Sequence, residues 1–193
     1  MGMIIGVTGL FGSGKSTVAK LMGRRLGYTV INADQLAWQA LKMNKAAAKR
    51  LFGTTGRKEL AEIVFDNRKK LMQLQKIIHP HVLSEMEKVA KIKKNAILDV
   101  PLLIEVGAHK FVDVIIIVKC SERVRIKRLM KKGFTHKEIM QRTQQQMPIK
   151  KKLRHADYVV DNSRSLKETE KQVDKILQKI SNVKPKFDSN RKD

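Results

Sequence analysis

Acidic residues are scarce in this chain of 193 residues: 18 Asp and Glu stand against 41 Lys and Arg, a formal net charge of +23. Cysteine is scarcer still. The one thiol, Cys120, excludes an internal disulfide framework and any multi-cysteine zinc or iron–sulfur site. Aromatic residues make up 5% of the chain and never interleave with basic ones in the manner of a base-stacking surface. No apolar run approaches the roughly 20 residues that span a bilayer. The densest, over residues 114–118, suits a buried strand. The N-terminus shows no basic stretch followed by a long apolar segment and a cleavage site, so no secretory signal is expected. An apolar content of 42% argues against a fully disordered chain. The expectation is a soluble, cytoplasmic protein of one domain, long enough for a sizeable core and a small insertion.

A surplus of positive charge attracts polyanions such as nucleic acid, anionic membrane or phosphate-rich small molecules. The basic residues are spread along the chain, with denser patches at residues 42–50, 68–70 and 150–154. Such a spread reads as a solvated surface, so neither a membrane nor a nucleic-acid partner is expected.

Residues 3–8 form a mostly apolar run leading into a glycine-rich turn, the pattern of a buried strand. Residues 16–26 have helical spacing through Val18, Leu21, Met22 and Leu26, with Gly27 as the stop. A short strand follows at 28–31, then a helical pattern at 34–51 broken by Phe52-Gly53-Thr54-Thr55-Gly56. Residues 57–94 read as helices broken near His79-Pro80, where proline suits a first turn. Further strands are expected at 96–100, 113–119 and 158–160. Helices are expected at 122–132, after a Thr135/Glu138 capping box, and at 166–180. Apolar strands alternating with helices predict an α/β fold, a parallel five-stranded sheet with helices on both faces. The strandless stretch 34–94 is the natural lobe beside it. Residues 1–181 thus form one domain, and 182–193 a polar, mobile tail.

Gly9-Leu10-Phe11-Gly12-Ser13-Gly14-Lys15-Ser16 fits G-x-x-x-x-G-K-[ST] between a predicted strand and a predicted helix. Glycines let the backbone curl so that its N–H groups point inward at phosphate oxygens, and the following helix adds its positive end. Lys15 is then expected on the β- and γ-phosphates and the Ser16 hydroxyl on Mg²⁺. Ligands of open α/β sheets lie beyond the carboxyl ends of the strands, where Asp34 and Asp99 fall. Asp34 suits both a helix N-cap and a base for an acceptor hydroxyl, and the two roles are compatible. Asp99 suits either a turn residue before Pro101 or the shell of Mg²⁺. Arg128 and Arg142 lie on helices able to form a lid that clamps phosphate, or serve as surface charge. His79 and His81 do not share a helix face, which argues against a metal pair. Cys120 reads as a small buried residue. Trp38 suits the core or the border of a substrate groove.

An ordered set of residues resembles the dephospho-CoA kinase family over nearly the whole chain to about residue 180. It comprises the loop at 8–17, Asn32-Ala33-Asp34, Arg57 with Leu60 and Phe65, and His79-Pro80. It continues with Asp99-Val100-Pro101-Leu102-Leu103 and Glu105, Arg142 with Gln146, Ala156-Asp157, and Val159-Val160-Asp161-Asn162. The resemblance implies a P-loop nucleotide-kinase-like fold with a helical CoA lobe (about 34–94) and a lid (about 133–152). It implies transfer of the ATP γ-phosphoryl group, with Mg²⁺, to the ribose 3′-hydroxyl of dephospho-CoA. Asp34 is then the base, with Lys15 and Arg142 beside it as catalytic groups. Gly9, Gly12, Ser13, Gly14, Lys15, Ser16 and Thr17 hold ATP, joined by Arg128 and by Asn162 near the adenine. Arg57, His79, Asp99, Glu105 and Asp34 face the acceptor, and Ser16 and Asp99 the metal.

The chain departs from the family where Asn32 replaces a usual Asp and where Leu10 and Trp38 replace a frequent glycine and arginine. It is also shorter than usual around residues 52–57. Two rival readings share the loop: a nucleoside or nucleoside monophosphate kinase, and a nucleic-acid-binding P-loop ATPase motivated by the charge.

Overall fold

A computed structural model describes residues 2–65, 67–92 and 95–180, so the 182–193 tail lies outside the described residues. The chain divides into two compact units, residues 1–32 with 86–193, and residues 33–85.

The first unit is built on five parallel strands: β1 (Ile4–Gly9), β2 (Thr29–Asn32), β3 (Ala96–Asp99), β4 (Val114–Lys119) and β5 (Tyr158–Asp161). Their order is β2-β3-β1-β4-β5. β1 takes the centre because all six of its residues are buried, which only a strand covered on both faces allows. Val7 stands opposite Asp99 on one side and Ile116 on the other. The strand order therefore reverses at the carboxyl end of β1, the position where such sheets open a crevice.

Helices α1 (Lys15–Leu26) and α9 (Leu166–Ile180) cover one face of the sheet. Val18, Ala19 and Met22 of α1 and Val173, Ile176 and Ile180 of α9 pack with Ile5, Val7, Ile97, Ile116, Val118 and Val160. Both helices repeat apolar residues three and four apart, so each presents one stripe to the strands. The same unit contains α6 (Glu122–Met130), α7 (His136–Gln144) and the short α8 (Ile149–Lys152). Thr135 caps α7 in the expected box, its hydroxyl accepting from the Glu138 N–H while the Glu138 carboxylate accepts from the Thr135 N–H.

The second unit is helical: α2 (Ala33–Met43), α3 (Lys45–Phe52), α4 (Arg57–Phe65) and the first part of α5 (Arg68–Lys91). Leu41, Ala48, Phe52, Leu60, Val64, Leu71 and Leu74 make its own core, with Trp38 packed against it.

Three expectations need correction. The helical run at 34–51 is two helices, because the Asn44 side chain and N–H both bond the Ala40 carbonyl and close α2. No break occurs at His79-Pro80: α5 runs through Pro80. The chain restarts instead at Asn67, whose side-chain oxygen accepts from the Lys70 N–H. Pro80 is exposed, and buried Leu71 and Leu74 anchor the helix that carries it. Cys120 is half-buried.

Ile5 lies fully buried in the central strand. Ile5→Ala is expected to lower the unfolding free energy by about 2–5 kcal/mol in urea titrations, with the m-value unchanged.

Candidate active site

The loop between β1 and α1 takes its shape from two glycines with left-handed backbone, Gly12 (φ 81°) and Gly14 (φ 90°). A β-carbon on Gly12 would run into the Leu129 side chain, and one on Gly14 into the Asn162 amide. Both positions therefore exclude any other residue for reasons of space as well as φ. The Ser13 N–H turns back onto the Leu10 carbonyl (3.0 Å), and the Val18 N–H reaches the Gly14 carbonyl (3.1 Å) to start α1. The N–H groups at the head of α1 and the positive end of its dipole are thus directed at the loop interior. Lys15 and Ser16 stand half-buried on the first turn, and Thr17 is exposed.

Asn162, just past β5, pins this curl. Its Nδ2 donates to the Ser13 carbonyl (2.8 Å), and its Oδ1 accepts from Thr169 Oγ1 (2.9 Å). Its backbone N–H donates to the Lys119 carbonyl (2.8 Å). Arg128 secures the same turn through Nη1 to the Asn162 carbonyl (2.8 Å) and Nη2 to the Arg164 carbonyl (3.3 Å). Ser13 Oγ is buried with no hydrogen-bond partner within the described protein.

Beside the loop, Asp99 ends β3 almost wholly buried. Its Oδ2 accepts from Asn32 Nδ2 (2.7 Å), while the buried Oδ1 has no partner within the described protein. A desolvated carboxylate oxygen left open in this way is a standing demand for a cation or a water. Asp99 Oδ1 is a hard oxygen donor, of the chemistry Mg²⁺ takes when phosphates and waters complete its shell. Among the described residues no group of three or more His, Cys, Asp and Glu gathers to hold a metal alone.

Residues 147–152 are tied to the segment that follows β3. Glu105 Oε1 accepts from the Met147 N–H (2.8 Å), and Lys152 Nζ lies 2.8 and 2.9 Å from the two Glu105 oxygens. Lys152 Nζ also donates to the Pro101 carbonyl (2.9 Å), which accepts from Thr8 Oγ1 as well (3.1 Å). Lys152 is fully buried. Burial pulls its ammonium below the usual lysine range against the opposing pull of Glu105, and the charge of Lys15 adds to the lowering. Arg125 is buried too, its Nη1 donating to the Phe11 carbonyl (3.1 Å) and to Thr143 Oγ1 (2.8 Å). Burial holds its guanidinium below the usual range, with Glu122 acting the other way.

Of the residues expected at the site, the sheet unit carries Gly9, Gly12, Ser13, Gly14, Lys15, Ser16, Thr17, Asp99, Glu105, Arg128, Arg142 and Asn162. Glu105, Arg128 and Asn162 there make bonds inside the protein. Asp34, Arg57 and His79 belong to the helical unit. Asp34 is exposed on the first turn of α2, inside the helix and not at its cap. The Arg57 side chain lies outside the described residues, and His79 is half-buried on α5. Lys152 and Arg125 were hidden in basic runs. The usable signal was spacing, since Arg125 precedes the buried Leu129 by four residues and so shares its inward face.

Residues 3–168 match the family described as dephospho-CoA kinase. A dephospho-CoA kinase of Carboxydothermus hydrogenoformans is 39% identical, over 91% of this chain and 93% of the relative. A solved structure from Thermus thermophilus superposes with a TM-score of 0.76 at 34% identity, covering 93% of this chain and 98% of its own. The dephospho-CoA kinase of Campylobacter jejuni gives a TM-score of 0.66 at 27% identity, covering 94% and 98%.

Asn162→Ala removes the side-chain bond to the loop and the bond from Thr169 that orients it. It is expected to cost about 1–3 kcal/mol in equilibrium unfolding and to weaken binding of a non-hydrolysable ATP analogue in calorimetry. His79 gives a pH signature. Burial lowers its pKa below the ordinary 6.5, so below that pH the unfolded chain takes up a proton that the folded one resists. Stability should fall as pH drops from 6.5 towards the folded pKa, and His79→Gln should flatten that limb in urea titrations across the range. Equal slopes in the two proteins would count against the assignment.

Proposed function

The chain belongs to the dephospho-CoA kinase family, and we infer from this and from its pinned phosphate loop that it phosphorylates the ribose 3′-hydroxyl of dephospho-CoA with ATP. The P–O bond between the γ-phosphorus and the β,γ-bridging oxygen breaks, a new P–O bond forms to the 3′-oxygen, and ADP leaves. The hydroxyl proton passes to Asp34, a carboxylate suited by chemistry to accept it, and from there to solvent. The loop at 9–17 grips the phosphates through its N–H groups, with Lys15 neutralising charge on the β- and γ-phosphates. Arg142 supplies a second positive group from the lid side. Arg128 and Asn162 support nucleotide binding from within, by fixing the turn that carries the loop. Glu105 contributes by anchoring the lid root to the end of β3. Arg57 and His79 stay assigned to acceptor binding in the helical lobe.

Mg²⁺ would be held by Ser16 and Asp99 and would supply electrostatic stabilisation of the phosphates. The open Oδ1 of Asp99 is the observation that supports this assignment. Asn32, standing where the family usually has a carboxylate, fits the same picture, because its amide satisfies Oδ2 and leaves Oδ1 for a cation. With ATP as donor, the cytoplasm is the compartment this reading assigns. Among the described residues no helix is long and apolar enough to cross a membrane. Phosphate chemistry alone accounts for the basic charge at the loop, and no nucleic-acid partner is assigned.

Purified protein incubated with ATP and dephospho-CoA should yield a product heavier by one phosphoryl group in mass spectrometry. Phosphorylation of nucleosides or nucleoside monophosphates in its place would overturn the acceptor. Asp34→Ala should leave ATP binding largely intact while cutting turnover at least about a hundredfold. Near-normal turnover in that variant would remove Asp34 from the reaction.

A further inference from the structure

Phe11 lies at the crown of the phosphate loop, where the G-x-x-x-x-G-K-S pattern asks for no particular side chain. Its backbone is held at both ends by residues beyond β4: the N–H donates to Gln146 Oε1 (2.6 Å) and the carbonyl accepts from Arg125 Nη1 (3.1 Å). Its ring meets the Phe134 ring edge to face, with centroids 5.2 Å apart and an interplanar angle of 85°. The Arg142 guanidinium sits over both, 5.3 Å from the Phe11 centroid and 4.8 Å from that of Phe134. Two aromatic rings thus share one cation, and one of the rings is part of the loop that receives the nucleotide.

We propose that Phe11 is a positioning residue, which with Phe134 holds the Arg142 guanidinium at the phosphate loop before the nucleotide arrives. The proposal rests on the assignment of Arg142 to the transferring phosphate. An arginine on a free arm must give up most of its rotamer freedom to reach a phosphate. A guanidinium held against two rings has surrendered that freedom in advance. The loop itself thereby sets where the lid cation stands, which is the kind of positioning that phosphoryl transfer rewards. The bonds to Gln146 and Arg125 use only the backbone of Phe11, so a change of side chain tests the ring and spares them.

The test is a kinetic cycle on the full chain with ATP and dephospho-CoA. Phe11→Leu is expected to lower kcat about tenfold with KM for ATP changed less than about threefold. Phe11→Tyr, which keeps the aromatic face, should recover most of the rate. In an Arg142→Ala background, Phe11→Leu should cost nothing further, because the group it positions is gone. An equal loss in both backgrounds would overturn the clamp and leave Arg142 its own role. Full turnover in Arg142→Ala alone would overturn the role of Arg142 and the clamp with it. Should Phe11→Leu fail to fold by circular dichroism, Phe134→Leu runs the same cycle from the other ring, with the same dependence on Arg142 expected.

Discussion

A phosphate loop works only if its carbonyls are kept facing away from the ligand, and here one side-chain amide does much of that. Asn162 draws the Ser13 carbonyl outward, so the N–H groups on the other side of the same peptides are free to face inward. The space it fills against Gly14 is space no β-carbon could share. Thr169 of α9 orients the amide, Arg128 of α6 fixes the Asn162 backbone carbonyl, and β4 supplies the acceptor for the Asn162 backbone N–H. Three elements and the loop itself converge on that one residue.

Charge is used the same way around the loop. In a chain with a surplus of cations, the ones that matter structurally are those taken out of water. Lys152 and Arg125 are desolvated, and each is compensated by several oxygen acceptors: Glu105 and the Pro101 carbonyl for the first, the Phe11 carbonyl and Thr143 for the second. Truncating either partner of such a pair leaves a buried group unsatisfied, which is why burial and bonding have to be read together. The exposed ion pairs, such as Arg25 with Asp174 and Lys91 with Glu87, contribute little beside them.

The parallel sheet and the loop were legible because their signals are local. The apolar runs of β1 and β4, the glycine spacing and the Thr135 capping box each require only neighbouring residues. The boundaries that sequence missed depend on competition. Asn44 ends α2 through a side-chain bond that a helical hydrophobic pattern does not register, and Asn67 starts α5 in the same manner. Pro80 looked like a break, yet the 24-residue helix runs through it, with buried Leu71 and Leu74 before it and Val82 and Met86 after it. The places of Asp99 at the end of β3 and of Lys15 at the head of α1 were readable from the sequence pattern. Lys152 was not, since nothing in a run of three lysines says which one will meet Glu105. The aromatic clamp on Arg142 was equally hidden, because Phe11 and Phe134 are separated by more than half the chain.

The strand order has a consequence for biogenesis. β1 leaves the ribosome ahead of both its partners, β3 and β4, which lie between residues 96 and 119. This buried, mostly apolar strand therefore waits unpaired until β3 has been synthesised. Residues 33–85, which carry their own apolar core, emerge in that interval and can collapse locally. The insertion that separates β2 from β3 thus lengthens the delay before the sheet can close, and during it the nascent chain offers chaperones a strand of six buried-type residues.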